Sequence, residues 1–169
     1  MTDINSRRSD PRVSGNDNGP DENVDLIELL FFAYRDFISD PDAILAEYGF
    51  GRAHHRVLHF VNRNPGLTVA DLLGILNITK QSLARVLKQL IDSGFIEQKP
   101  GAHDRRQRLL YTTAEGRRLA AQLLKPQSRR INNAFQGLAP EERKIVARFL
   151  FEMIDPAEQP NVSRLTGKE

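Results

Sequence analysis

Residues 62–116 read NRNPGLTVADLLGILNITKQSLARVLKQLIDSGFIEQKPGAHDRRQRLLYTTAEG. The order of local signals in this run narrows the possible folds more than any other part of the chain. Pro65-Gly66 ends one helical pattern, and Thr68 with Asp71 three positions on sets up a capping box for the next. Leu72, Leu73 and Leu76 form the inward side of that helix, Asn77-Ile78 makes a tight turn, and Thr79 caps a third helix. Phe95-Ile96-Glu97 reads as a strand and Pro100-Gly101 as a turn. Leu109-Leu110-Tyr111 reads as the returning strand, and Thr113 as the cap of a long helix. Helix, helix, strand, basic turn, strand and helix in this order make a winged helix-turn-helix. The predicted class is mainly α with a small β-hairpin wing, extended by N- and C-terminal helices.

The flanks carry their own constraints. Between Asp25 and Ser39 the side chains of Leu26, Ile27, Leu29, Leu30, Phe31, Phe32, Tyr34, Phe37 and Ile38 cover nearly the whole helical circumference. A helix apolar all round must be buried on several sides, and in a chain this short a second subunit is the natural cover. Asp40-Pro41 reads as an N-cap with proline at the first helical position, opening a separate short helix that ends near Gly49. Another helix runs from Gly51 to Asn64, with Val57, Leu58, Phe60 and Val61 inward. After the wing, the long helix from Ala114 passes Leu124, and Pro126 is expected to kink it. A last helix follows Pro140, with Glu141 and Glu142 at its positive end and Ile145, Val146, Phe149, Leu150, Met153 and Ile154 as its apolar stripe. Residues 1–24 have too few apolar side chains to offset ordering entropy and are expected to be disordered, and residues 157–169 to be a flexible tail. Arg7, Arg8 and Arg12 suggest a basic arm, but six acidic residues within 1–25 favour the plainer reading.

Composition removes several function classes. There is no cysteine, which excludes thiol catalysis, cysteine metal sites and disulfides. No apolar run approaches a membrane span and the N-terminus lacks a secretory apolar core, so the expectation is a cytoplasmic protein with no membrane partner. No Gly-rich phosphate loop, triad or paired-carboxylate pattern is present. An enzyme is therefore not expected, nor a cofactor or a resident metal.

The net charge is only +2, but its distribution is uneven. Residues 79–108 hold seven Lys/Arg against three Asp/Glu, while residues 26–78 hold four against six. Advancing about 100° per residue along the third helix places Val86, Leu87, Leu90 and Ile91 with Leu83 on one side. Gln81, Arg85 and Lys88 fall opposite, flanked by Ser82 and Gln89. Long hydrogen-bonding side chains on one exposed face suit a helix in the major groove of DNA, with Arg85 able to fork onto guanine and Gln81 to pair with adenine. Ser82 and Lys88 suit phosphates, as do Thr79 and Lys80 at the helix N-terminus. Such a face alone is often just a solvated surface. The turn between the strands adds Lys99, Arg105, Arg106 and Arg108 against the single acid Asp104, and an arginine at such a tip can enter a narrow minor groove.

These residues resemble the MarR family of bacterial transcription regulators. The family's D-x-R is present as Asp104-Arg105-Arg106, its T-x-x-G as Thr113 to Gly116, and its P-G-x-T as Pro65 to Thr68. The exit from the third helix is present as Leu90, Gly94, Phe95 and Ile96. The resemblance spans roughly residues 52–124. It implies an obligate homodimer of triangular outline on a palindromic double-stranded operator, usually a repressor released by a small ligand. It also implies that Arg106 enters the minor groove and that Asp104 shapes the wing. The domain would then cover 25–156, with dimerisation helices at about 25–48 and 114–155 and a DNA-binding lobe at about 52–113. Two positions depart from the pattern. Gln98 stands where a basic residue usually pairs with the wing acid, leaving Asp104 to Arg106 or a backbone N–H. Thr112 stands where leucine is usual, and only a small packing adjustment is expected.

His54, His55 and His59 invite a metal reading, since the last two are spaced i, i+4, but no second ligand pair is evident and a pocket-wall or core role is the plainer one. Tyr34, Arg35, His55 and His59 could instead line an effector pocket with an aromatic and basic wall, suited to a small aromatic or anionic ligand. Phe31 is more simply assigned to a dimer core. The alternatives to a ligand-released repressor are a winged-helix protein-interaction module, an activator, or a metal-responsive regulator of the same fold.

Overall fold

A computed structural model describes residues 22–101, 104 and 106–167. The chain divides into two compact units, residues 1–34 and 35–169. The expected N-terminal disorder and Arg7, Arg8 and Arg12 lie outside the described residues.

Within the first unit, the opening of helix α1 (Val24–Ala46) exposes apolar side chains on all sides, among them Leu29 at 62% and Phe31 at 68%. The second unit begins within α1 and continues through α2 (Arg52–Arg63), β1 (Leu67–Thr68), α3 (Val69–Leu76) and α4 (Lys80–Asp92). It then forms β2 (Ile96–Pro100), β3 (Arg108–Thr112), α5 (Ala114–Ala134), α6 (Pro140–Glu152) and α7 (Gln159–Thr166).

The core of the lobe follows from the apolar periodicities. Val57, Leu58 and Val61 of α2, Leu72 and Leu76 of α3, and Leu83, Val86, Leu87 and Leu90 of α4 meet Ile96, Leu110, Leu119 and Leu123 in one buried cluster. Full burial of each such aliphatic side chain is worth about 1.5–3 kcal/mol over leaving it exposed. The wing is a hairpin with antiparallel register from Ile96 opposite Thr112 to Pro100 opposite Arg108. A third strand was not expected. β1 adds to the outer side of β3, Leu67 opposite Leu110, and Gly66 donates its N–H to the Leu110 carbonyl at 2.8 Å. A two-residue strand carries no periodicity, so only its partner reveals it.

Two further differences lie in the flanking helices. The helix expected to end at Ser39 runs on to Ala46 through a buried Pro41. Proline at position 41 leaves the carbonyl of Phe37, four residues back, without its helical donor. Nε2 of the buried Gln127 on α5 donates to that carbonyl at 3.4 Å, and Arg130 reaches Asp40 at 3.1 Å beside it. Helix α5 also carries a proline, Pro126, inside its span and runs past Leu124 as expected. The C-terminal stretch expected as a tail instead turns at Asp155 to Glu158 and forms α7, closed by Gly167 in the left-handed region.

The predicted caps form. Thr68 Oγ1 accepts from the Asp71 N–H at 3.1 Å while Asp71 Oδ2 accepts from the Thr68 N–H at 2.8 Å. Thr79 and Thr113 accept from the N–H groups of Ser82 and Gly116. Thr112 is buried, and its hydroxyl donates to Asn62 Oδ1 of α2 at 3.2 Å, so the departure from leucine becomes a polar tie between wing and helix.

Candidate nucleic-acid interface

Helix α4 is set by its own pattern. Leu83, Val86, Leu87 and Leu90 anchor it, and Lys80, Gln81, Ser82, Arg85, Lys88 and Gln89 are left exposed. The turn before it holds Asn77 at φ 48°, a left-handed position that asparagine tolerates. Arg56 of α2 donates to the Leu76 carbonyl at 2.9 Å, which satisfies one of the free carbonyls at the end of α3 and holds the turn in place.

A second tie was not foreseen in the sequence. The Gly51 N–H donates to His54 Nδ1 at 3.1 Å, so Nε2 carries the proton and donates to Gln89 Oε1 at 2.8 Å. The imidazole stacks on Phe50 with centroids 4.6 Å apart. His54 therefore joins the start of α2 to the exposed face of α4 and is turned to that helix rather than toward a metal. Spacing along α2 could not show this, because the partner lies 35 residues away.

The wing turn is closed by backbone bonds. Gly101 N–H donates to the Gln107 carbonyl and Gln107 N–H to the Asp104 carbonyl, both at 3.0 Å. Asp104 Oδ1 accepts from the Arg106 N–H at 2.8 Å, which settles its partner as a backbone amide. A Cβ on Gly101 would lie 2.8 Å from the Asp104 carbonyl oxygen, so the turn needs glycine there. Gly116 is tighter still, because its Cβ would stand 2.0 Å from the Phe95 carbonyl oxygen, and the T-x-x-G spacing is what lets α5 start against β2.

Charges on this face divide into paired and free. Lys88 pairs with Asp92 at 2.5 Å, and Lys99 pairs with Glu97 at 2.9 Å while lying 5.1 Å from the centre of the Tyr111 ring. Arg85, Arg106 and Arg108 are exposed and pair with no described acid. Arg105 lies outside the described residues. Free guanidinium groups on α4 and on the wing are available to an external anion.

The proposed effector residues divide differently. His55 and His59 lie one turn apart, half-buried, with perpendicular rings 6.5 Å between centroids. Burial holds both below the ordinary imidazole value of 6.5. For His55 the neighbouring His59 adds to this and Asp42 opposes it, while Arg63 adds to it for His59. Arg35 is exposed and bonded to Asp36 at 2.8 Å. Tyr34 belongs to the first unit and is exposed at 56%. Among the described residues no group of three or more His, Asp or Glu converges as a metal site. No helix among them is long and apolar enough to cross a membrane.

A sequence model of the MarR family matches residues 48–107, from the end of α1 into the wing. The HTH-type transcriptional regulator PetP of Rhodobacter capsulatus is 44% identical over 143 residues, covering 85% of this chain and 86% of that protein. The chain belongs to the MarR family. It is therefore a transcription regulator rather than an enzyme. Among solved structures, MarR matches 78% of this chain and 94% of its own with a TM-score of 0.56 at 25% identity. Streptococcus pneumoniae FabT in complex with DNA matches 78% and 94% with a TM-score of 0.68 at 17% identity, a likeness of fold alone. Within a MarR-type frame, α3 and α4 are the helix-turn-helix, β2 and β3 the wing, and Asp104 the acid of D-x-R bonded to its own turn.

Proposed function

We propose that this MarR-family chain is a homodimeric, sequence-specific repressor that grips a palindromic operator and releases it when a small molecule binds. The observation that carries the DNA reading is the set of unpaired, exposed guanidinium groups, Arg85 on the capped and buried-backed helix α4 and Arg106 and Arg108 on the wing. Gln81 and Arg85 would read base edges. Thr79, Lys80, Ser82 and Lys88 would hold phosphates, and Arg105, Arg106 and Arg108 the minor groove and its backbone. The DNA complex of FabT supports the same use of this fold. Dimerisation is supported by the exposed apolar side chains of α1 in the first unit and of α6 in the second, where Ile145, Phe149 and Leu150 and the capping Met153 are all more than half exposed. Two-fold symmetry would then set the half-sites about 34–36 Å apart. The effector is assigned to the half-buried His55–His59 wall, where neutral imidazoles can donate to a small aromatic or anionic ligand.

The test is a titration against the DNA upstream of the chain's own coding region, with nonspecific competitor, at two salt concentrations. Wild type binds tightly and loses affinity steeply with salt. Arg85→Ala loses competitor resistance, corresponding to about 1–3 kcal/mol of base discrimination. Arg106→Ala weakens binding while the protein stays dimeric. Unchanged affinity in both variants would remove α4 and the wing from the interface.

A further inference from the structure

A cavity of about 250 Å³ lies between α3 and α7. Its apolar wall comes from Phe60, Gly74, Ile75, Val162 and Leu165, and Phe60, Ile75, Val162 and Leu165 are half-buried.

Gly74 is the informative residue. It sits inside an eight-residue helix, where glycine is disfavoured because it gives up the most backbone freedom. Its backbone does not require glycine, since it is not among the residues with positive φ. Nor does packing, since a Cβ at this position would meet no heavy atom within 4 Å. The effect of Gly74 is to keep α3 free of side-chain bulk at the cavity wall. A void of about 150 Å³ lined by Leu, Ile and Phe admits benzene, so the larger space here takes a ring system with room for a polar group. The polar edge decides the charge of the occupant. Asn77 of the helix-turn-helix turn, Glu158, Asn161 and Thr166 line it, and no Lys, Arg or His is among its described lining residues. The one charged lining residue is an acid, which disfavours an anion, while an O–H or N–H donor finds acceptors in the carboxylate and in the Asn and Thr oxygens.

We propose that this cavity is a binding site for a small, neutral, mainly apolar molecule bearing one hydrogen-bond donor. Its occupancy ties the C-terminal helix to the helix that supports α4. The site shares no residue with the His55–His59 wall and selects the opposite charge character.

Indole and indole-3-carboxylate are the probes, titrated onto the isotope-labelled full chain and followed by amide and methyl spectra. Indole shifts the signals of Gly74, Ile75, Val162 and Leu165, and the carboxylate binds there about tenfold or more weakly. Gly74→Leu fills the space, binds indole about tenfold or more weakly, and melts no lower than wild type because leucine favours the helix. Gly74→Ala falls between them, and Val162→Phe blocks the cavity from the α7 side. The proposal is overturned if indole leaves these four residues unshifted, if both probes bind there equally, or if the folded variants bind indole as wild type does.

Discussion

Gly116 shows how much one residue can hold. Its amide donates to Thr113 Oγ1 at 3.0 Å, and the Thr113 N–H donates to the same Phe95 carbonyl, at 3.1 Å, that an added Cβ would strike. The carbonyl cannot retreat without losing that bond. Gly116→Ala is expected to lower unfolding free energy by about 2–4 kcal/mol in denaturant titration, whereas Gly74→Ala, where a Cβ meets no heavy atom within 4 Å and φ is not positive, should cost none. The half-buried imidazoles of His55 and His59 give a pH signature. Their folded values lie below 6.5, so the unfolded chain binds more protons on the acid side. The stability they contribute is present above 6.5 and is lost as pH falls through the folded values. Melting temperature should therefore fall from neutral toward acid pH, and His55→Gln with His59→Gln should flatten that fall. An unchanged slope in the double variant would place the acid sensitivity elsewhere.

Helix α1 shows what an element owes to its neighbours. Pro41 has the local marks of a helix start, and the sequence offers Asp40 as its cap. The helix continues because Gln127 supplies the missing donor to Phe37 from 90 positions away. Gln127→Leu, close in volume, should cost about 1 kcal/mol by leaving that part-buried carbonyl unpaired. In a Pro41→Ala background the backbone N–H is restored, and the same substitution should cost measurably less. Additive effects in the cycle would show that the side chain does not stand in for the proline's lost donor. The recognition helix was legible by contrast, because Leu83, Val86, Leu87 and Leu90 and the Thr79 cap all lie within its own turns. The ties that orient it, Arg56 to Leu76 and His54 to Gln89, were not, since each joins residues on different elements.

At the scale of the whole molecule, the exposed apolar side chains are the main unfinished surface. Phe149 is 52% and Leu150 53% exposed on α6. On the proposed dimer, Phe149→Asp should shift the chain toward monomer in sedimentation and weaken operator binding, because each half-site would then be bound alone and the gain from joining two sites lost. A variant that stays dimeric would place the interface away from α6.

The sequence by itself determined the class of fold, the caps, the inward and outward faces of α4, and the basic turn between two strands. Each rests on interactions among residues within about four positions of one another or on a short hairpin, and those repeat in any chain with the same local pattern. Only the tertiary structure decided that α1 passes through Pro41, that β1 joins the wing, that His54 turns to Gln89, and that the C-terminal stretch forms α7 beside a cavity kept open by Gly74. The physical reason is the same in each case. A backbone or side-chain group left unpaired by its own segment takes its partner, or its empty space, from a part of the chain whose distance in sequence carries no signal.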